Sequence, residues 1–263
     1  MTIAVIGTGN MGSAIVRGFV RSGACCAENI ICTAKSIGTL ERIRSFNDSV
    51  RTTNDNAFAA KDADVIILAV KPWLIEEILM EIRPVLDLEK QVIVSVAAGV
   101  TLDNLLQYTT AENSIQPALF RVVPNTAVEV LCGVTFIASS GTSAEQREYV
   151  YSLFSSLGYT LEVDEKLIPA ATALASCGIA FAMRYMRANI EGGVELGFHP
   201  EEAARIVEHT VHGAATLLLH KGNHPEVEID KVTTARGITI KGLNAMEKAG
   251  FTAAIIDGLK ASK

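Results

Sequence analysis

At 263 residues, with 49% hydrophobic and 20% charged residues, the chain has the composition of a folded protein and the length of one large domain or two modest ones, which excludes an intrinsically disordered segment. The 23 basic residues are outnumbered by 29 acidic ones, for a net charge of -6, and no run of Lys or Arg forms the stripe that a nucleic-acid binder needs. Five cysteines, Cys25, Cys26, Cys32, Cys132 and Cys177, contain no Cys-x-x-Cys pair and no disulfide-like framework, which points to a reducing compartment.

Met1 leads directly into an apolar strand with no basic leader or cleavage site, and no uncharged apolar run of about 18 residues follows. The expectation is a soluble, cytoplasmic protein with no membrane partner that acts on a small molecule. Ile3 to Ile6 reads as a strand entering the turn Gly7-Thr8-Gly9-Asn10-Met11-Gly12, and Ser13 to Ser22 carries Ile15, Val16, Phe19 and Val20 at helical spacing. A G-x-G-x-x-G turn between a strand and a helix suits a dinucleotide pyrophosphate. Gly7 permits the tight turn, Gly9 lets backbone approach the phosphates, Gly12 allows close helix packing, and the helix N-terminus faces the negative charge.

Ile30 to Thr33 supplies a second strand. At its end, about 20 residues past the turn, NAD enzymes place an Asp or Glu on the ribose; here the chain reads Cys32-Thr33-Ala34-Lys35-Ser36. Hydroxyls on Thr33 and Ser36 and the Lys35 ammonium favour a 2′-phosphate, so NADPH is the expected cofactor, with NADH as the alternative. Helical patterns at Thr39 to Phe46 and Ile75 to Ile82 alternate with buried-strand runs at Val65 to Val70 and Val92 to Val96. This alternation predicts a doubly wound parallel sheet of the Rossmann type, with ligands at the carboxyl ends of the strands. Lys71-Pro72, Ala97-Ala98-Gly99 and Arg121 to Thr126 fall on that edge, and Asn125 and Thr126 are candidate polar contacts near the reacting ring.

From about Glu165 onward the strand patterns stop, so residues 1–163 read as the dinucleotide-binding domain and 164–263 as an all-helical domain. Three helices are expected, Glu165 to Leu196, Pro200 to Lys221 and Thr239 to Ala261. The first is rich in small residues and apolar on much of its circumference, which calls for burial against a second subunit and predicts a homodimer or higher homo-oligomer. His209 and His212 share a helix face, but no third ligand stands at diagnostic spacing, so no metal is expected. Thr233-Thr234-Ala235-Arg236-Gly237-Ile238-Thr239 groups hydroxyls, a guanidinium and a glycine at the start of the last helix, whose free N–H groups suit a carboxylate. An N-cap role explains one threonine but not the cluster.

Taken together, Ile6 to Gly12, Leu68-Ala69-Val70-Lys71-Pro72, Ser95 to Gly99, Arg121 to Thr126, and Val232 through Gly242-Leu243 to Glu247 and Gly250-Phe251 resemble the pyrroline-5-carboxylate reductase family over essentially the whole chain. The resemblance implies NADPH-dependent reduction of a cyclic imino acid, 1-pyrroline-5-carboxylate, to L-proline, the last step of proline biosynthesis. It implies a Rossmann domain followed by a helical domain that interlocks with its twin, with the substrate site at the dimer interface. Carried over by position, Asn56 touches the adenosine ribose, Ala69, Val70, Lys71, Pro72 and Ala97 line the cofactor, Glu165 borders the substrate, and Thr239 hydrogen-bonds the ring nitrogen. N–H groups from Thr234 to Ile238 hold the carboxylate.

Two departures stand out. The family loop reads Ser-Pro-Gly-Gly where this chain has Thr234-Ala235-Arg236-Gly237. If that position needs a positive φ, Arg236 is strained; its guanidinium would also suit the substrate carboxylate. At Ala175 to Ala180 the family has Ser-Gly-Ser-Gly-Pro-Ala, and loss of the proline at Ile179 is expected to make the helix more regular. Three other readings stay open: a related imine reductase, a β-hydroxyacid dehydrogenase using Lys166 or Lys241 as its catalytic lysine, and a non-catalytic NADP-binding protein.

Overall fold

Every residue of the first strand, β1 (Ile3–Ile6), is buried, because alternate side chains point to opposite faces of a sheet and helices cover both faces here. The structure, a computed structural model, describes residues 1–110 and 115–263, which divide into two compact units, Met1–Ser176 and Cys177–Lys263.

In the first unit β1, α1 (Asn10–Ser22), β2 (Ile30–Thr33), α2 (Ile37–Phe46), β3 (Arg51–Thr53), α3 (Asn56–Lys61), β4 (Val65–Leu68), α4 (Ile75–Ile82), β5 (Val92–Ser95) and α5 (Leu102–Thr109) alternate as the pattern predicts. They are followed by β6 (Ala118–Pro124), β7 (Gly133–Ser140), α6 (Ala144–Ser155) and β8 (Gly158–Glu162). The sheet order is β3-β2-β1-β4-β5-β6-β7-β8, parallel throughout except for the β6–β7 pair. Chain direction across the sheet reverses between β1 and β4, and such a switch point opens a crevice at the carboxyl ends of the strands.

Ile15 and Phe19 of α1, Ile43 of α2 and Phe154 of α6 pack on one face with Ile3 and Val5. Ala60 of α3, Ile75 and Leu79 of α4 and Leu105 of α5 pack on the other with Ala4 and Ile6. Phe19 and Phe154 meet edge to face with centroids 5.8 Å apart, the favoured aromatic geometry.

Three sequence expectations need adjustment in this unit. The strand runs Val65 to Val70 and Val92 to Val96 stop at Leu68 and Ser95. Their last residues leave the ladder and line the crevice. β7 and β8 extend the sheet beyond the strands read from the sequence, and β8 is half exposed, so its apolar signal is diluted.

The chain from Glu165 to Glu195 is helical but not regular. It opens with a 3₁₀ turn (Glu165–Leu167), passes through α7 (Ile168–Ala171) into a π-helical stretch at Thr172–Cys177, and continues as α8 (Gly178–Glu195). Ile179, where the family has proline, lies in the regular part, α8; the distortion lies N-terminal to that position, at Thr172–Cys177. Two hydrogen bonds to the loop after β6 accompany it: Asn125 Nδ2 donates to the Ala175 carbonyl (3.4 Å), and Ser176 Oγ donates to the Pro124 carbonyl (3.2 Å). Ile168 and Ala171 are buried in the first unit's core, so compactness carries that unit to Ser176 although its last strand ends at Glu162.

The second unit contains α8, α9 (Pro200–Lys221), α10 (Pro225–Lys231), α11 (Ile238–Lys248) and α12 (Phe251–Ala261). The single helix expected over Thr239 to Ala261 is thus two, interrupted at Gly250, whose φ of 84° is left-handed and costs glycine nothing. α10, entered through His224-Pro225, was too short for its period to be read. Ala203 is the only buried residue of this unit, while Leu196, Leu219 and Ile238 are 85–88% exposed. By length and composition Glu165–Glu195 also matches a membrane span, with a mean hydropathy of 1.5. The same composition belongs to a helix buried in an interface.

Candidate active site

The turn after β1 is held from one side by β2. The N–H groups of Gly7 and Thr8 both donate to the Thr33 carbonyl (3.1 and 3.0 Å), as does Thr8 Oγ1 (3.0 Å). Gly7 sits at φ 92°, and a Cβ there would strike Val70 Cγ1 and the Ala69 carbonyl group. At Gly12 a Cβ would strike the Gly7 carbonyl oxygen and lie 3.2 Å from Ala69 Cβ, so the helix touches the turn backbone directly. Gly9 has no atom within 4 Å of where its Cβ would be. It caps α1 without a side-chain bond, and the first turn, with Asn10 and Met11, has no acidic residue. Free N–H groups at the positive end of a 13-residue helix, beside open space, fit a pyrophosphate.

Lys35 and Ser36 at the end of β2 are exposed, and Ser36 makes no capping bond with its hydroxyl. Thr33 differs from its expected place: it is 2% exposed, and its hydroxyl accepts from the Gly7 N–H (3.3 Å) and donates to Asn56 Oδ1 (2.7 Å). It joins the turn to Asn56, and Lys35 and Ser36 are the exposed residues beyond it. Asn56 Nδ2 in turn donates to Glu81 Oε2 (3.0 Å), a partner that no local pattern announced.

Along the edge, the Ala69 N–H donates to the Ile6 carbonyl (2.8 Å), bringing Ala69 to Pro72 beside the glycine turn. Ala97 is buried, and its N–H donates to Ser95 Oγ (3.3 Å). Asn125 holds the loop after β6 together. Buried, its Oδ1 accepts from the N–H groups of Ala127 (3.2 Å) and Val134 (3.4 Å), and its Nδ2 donates one of its two hydrogens to the Ala175 carbonyl.

Glu165 is similarly engaged. Its Oε1 accepts from the Leu102 N–H (2.8 Å) at the start of α5 and from Arg121 Nη1 (2.9 Å) in β6. The Arg121 side chain is 9% exposed and its Nε has no partner, so the carboxylate is what keeps a buried guanidinium neutralised. Glu165→Ala is expected to cost about 3 kcal/mol, because removing one member of a buried pair leaves the other charge uncompensated. A urea titration checks this, and the isosteric Glu165→Gln should recover part of the loss through the Leu102 bond.

In the second unit Thr234-Ala235-Arg236-Gly237 forms a turn closed by the Gly237 N–H to the Thr234 carbonyl (2.9 Å). Arg236 takes its third position at φ 63°, so the strain anticipated for a non-glycine residue is present. The turn leads into α11, which Gly237 starts without a side-chain cap. Thr233 donates its hydroxyl back to the Ile229 carbonyl (2.7 Å), so the threonines do not cap this helix. Thr239 stands exposed in its first turn, and its hydroxyl makes no hydrogen bond among the described residues. Arg236→Gly is expected to stabilise the chain by about 1 kcal/mol by removing the left-handed penalty, read as a higher denaturant midpoint.

Lys166 pairs with Asp164 at the surface (2.9 Å) and Lys241 is exposed. Burial pushes the Cys32 thiol up to about 12, so it is not a nucleophile at neutral pH. Among the described residues no three His, Cys, Asp or Glu side chains gather to hold a metal.

Comparison with known proteins agrees with this geometry. Residues 2–99 match the family model described as NADP oxidoreductase coenzyme F420-dependent, and residues 165–263 match pyrroline-5-carboxylate reductase dimerisation. Pyrroline-5-carboxylate reductase 1 of Dictyostelium discoideum is 36% identical over 99% of this chain, which spans about half (48%) of that longer protein. Pyrroline-5-carboxylate reductase 2 of the same organism is 35% identical over 98% of this chain and 89% of its own. The crystal structure of Plasmodium falciparum pyrroline carboxylate reductase with NADP bound superposes with a TM-score of 0.89 at 25% identity, covering 100% of this chain and 95% of that one. The chain belongs to the pyrroline-5-carboxylate reductase family.

Proposed function

We propose that this chain reduces 1-pyrroline-5-carboxylate to L-proline with NADPH, as the last step of proline biosynthesis. The observation that carries the cofactor half is the glycine turn: open space at Gly9, uncapped N–H groups at α1 and exposed Lys35 and Ser36 beyond β2. A reduced nicotinamide bound at this turn would supply the hydride for the carbon of the cyclic C=N bond. That carbon is most electrophilic when the nitrogen is protonated or hydrogen-bonded. In this reading the free Thr239 hydroxyl hydrogen-bonds the ring nitrogen, donating to the neutral imine or accepting from the iminium N–H, and the N–H groups between Thr234 and Ile238 hold the carboxylate, with the Arg236 guanidinium reinforcing it. An aliphatic hydroxyl is a poor acid, so the proton that ends on the nitrogen comes from the iminium form of the substrate or from water. Within the first unit, Glu165 and Asn125 brace the loops that follow β5 and β6. The test is NADPH consumption with pyrroline-5-carboxylate and chromatographic detection of proline; cofactor binding without turnover counts against the proposal.

The working form is a homodimer of a cytoplasmic enzyme with a small-molecule substrate and no nucleic-acid or membrane partner. A unit of 87 residues in which only Ala203 is buried lacks a core of its own, which leaves the helical part for association. The matched dimerisation family supports a second copy as the missing cover. The midpoint of thermal unfolding should therefore rise with protein concentration, while a stable monomer at micromolar concentration in sedimentation would contradict the dimer.

A further inference from the structure

Around Thr33 a run of hydrogen bonds extends beyond the residues that the glycine turn and the family resemblance account for. The Gly7 N–H donates to Thr33 Oγ1, Thr33 Oγ1 donates to Asn56 Oδ1 (2.7 Å), and Asn56 Nδ2 donates to Glu81 Oε2 (3.0 Å). A carboxylate only accepts. Rotating the Asn56 amide by half a turn would set its carbonyl oxygen against Glu81, so Glu81 fixes which way the amide faces. Asn56 is left with one unused N–H, held in a set direction, at the N-terminus of α3.

Glu81 also brings charge. It is exposed, one residue from the end of α4, and stands within hydrogen-bond distance of the residue assigned above to the adenosine ribose. The end of β2 lacks the carboxylate that NAD enzymes place there, yet the fold delivers one to the neighbouring position from a different helix. Lys35, on the loop after β2, is exposed and of opposite sign.

We propose that Glu81 is a positioning and selectivity residue for the dinucleotide: it orients Asn56 toward the ribose, and its charge opposes a 2′-phosphate, so that NADH remains usable beside NADPH. The proposal rests on the cofactor reading of the glycine turn. Repulsion between a carboxylate and a 2′-phosphate, screened by physiological salt, changes the preference between the two dinucleotides by roughly five- to tenfold.

The test compares KM, kcat and calorimetric Kd for NADPH and NADH in the wild type, Glu81→Gln and Glu81→Ala. The glutamine oxygen still accepts from Asn56 while the charge is gone, so Glu81→Gln should tighten NADPH by about five- to tenfold relative to NADH and leave NADH unchanged. Glu81→Ala removes the anchor as well, and NADH should weaken several-fold in a way that glutamine rescues, with kcat nearly constant. No change in the NADPH-to-NADH ratio in Glu81→Gln, or equal effects of both variants on both dinucleotides, overturns the proposal. If the wild type binds neither dinucleotide in the calorimeter, the cofactor reading itself fails and the proposal fails with it.

Discussion

Thr239→Val is expected to lower kcat for imine reduction by roughly 10²-fold, the scale of a single donor acting on the reacting atom, while the KM for NADPH stays near its wild-type value. The substitution keeps the volume and branching of the side chain and removes only the hydroxyl, which has no hydrogen-bond partner among the described residues. An exposed residue in the first helical turn contributes little to stability, so the denaturation midpoint should move by less than about 0.5 kcal/mol. Thr239→Ser keeps the donor and should retain most of the rate. The pair separates a role at the ring nitrogen from a role in folding α11.

Gly12→Ala should cost still more. The added methyl would meet the Gly7 carbonyl oxygen and Ala69 Cβ, both fixed by the backbone of neighbouring strands. Neither is the far end of a flexible side chain, so α1 has to shift away from the turn. Overpacking of this kind costs about 1–3 kcal/mol of stability. Displacing the N–H groups of α1 by even 1 Å is expected to weaken dinucleotide binding by about 10²-fold or more. Gly9→Ala serves as the contrast: no atom of the chain lies within 4 Å of its added methyl, so stability should hold while any loss of binding reports the cofactor's own approach to the backbone.

The cofactor half was legible in the sequence because its determinants are local. Gly7, Gly9 and Gly12 lie within six residues, between a buried strand and a helix with strong apolar spacing. The strain at Arg236 was conditionally legible, because the family places glycine there, and the structure puts the residue at φ 63°. What the sequence hid was pairing across distance. Asn125 and Glu165 were expected to contact ligand, and Glu81 drew no expectation at all. Their partners are Ala175, Arg121 and Asn56, between 25 and 50 positions away along the chain. The break at Gly250 was read through because both flanking segments share an apolar period. The π-helical stretch lies N-terminal to the lost proline and carries no proline of its own.

These residues also show where this chain has departed from its family's loop. Arg236 occupies a position whose backbone favours glycine, and an uncompensated penalty of about 1 kcal/mol is readily removed by a single substitution. In the proposed reading, pairing with the substrate carboxylate would offset that penalty only when substrate is bound. Arg236→Gly would then raise stability and weaken substrate binding in the same variant.

Transfer of label from the cofactor to the product tests the central claim most directly. With NADPH deuterated at the transferable position of its nicotinamide ring and unlabelled pyrroline-5-carboxylate, the account predicts L-proline carrying one deuterium on the ring carbon that had been doubly bonded to nitrogen. Unlabelled proline, or bound NADPH with no proline formed, would contradict it.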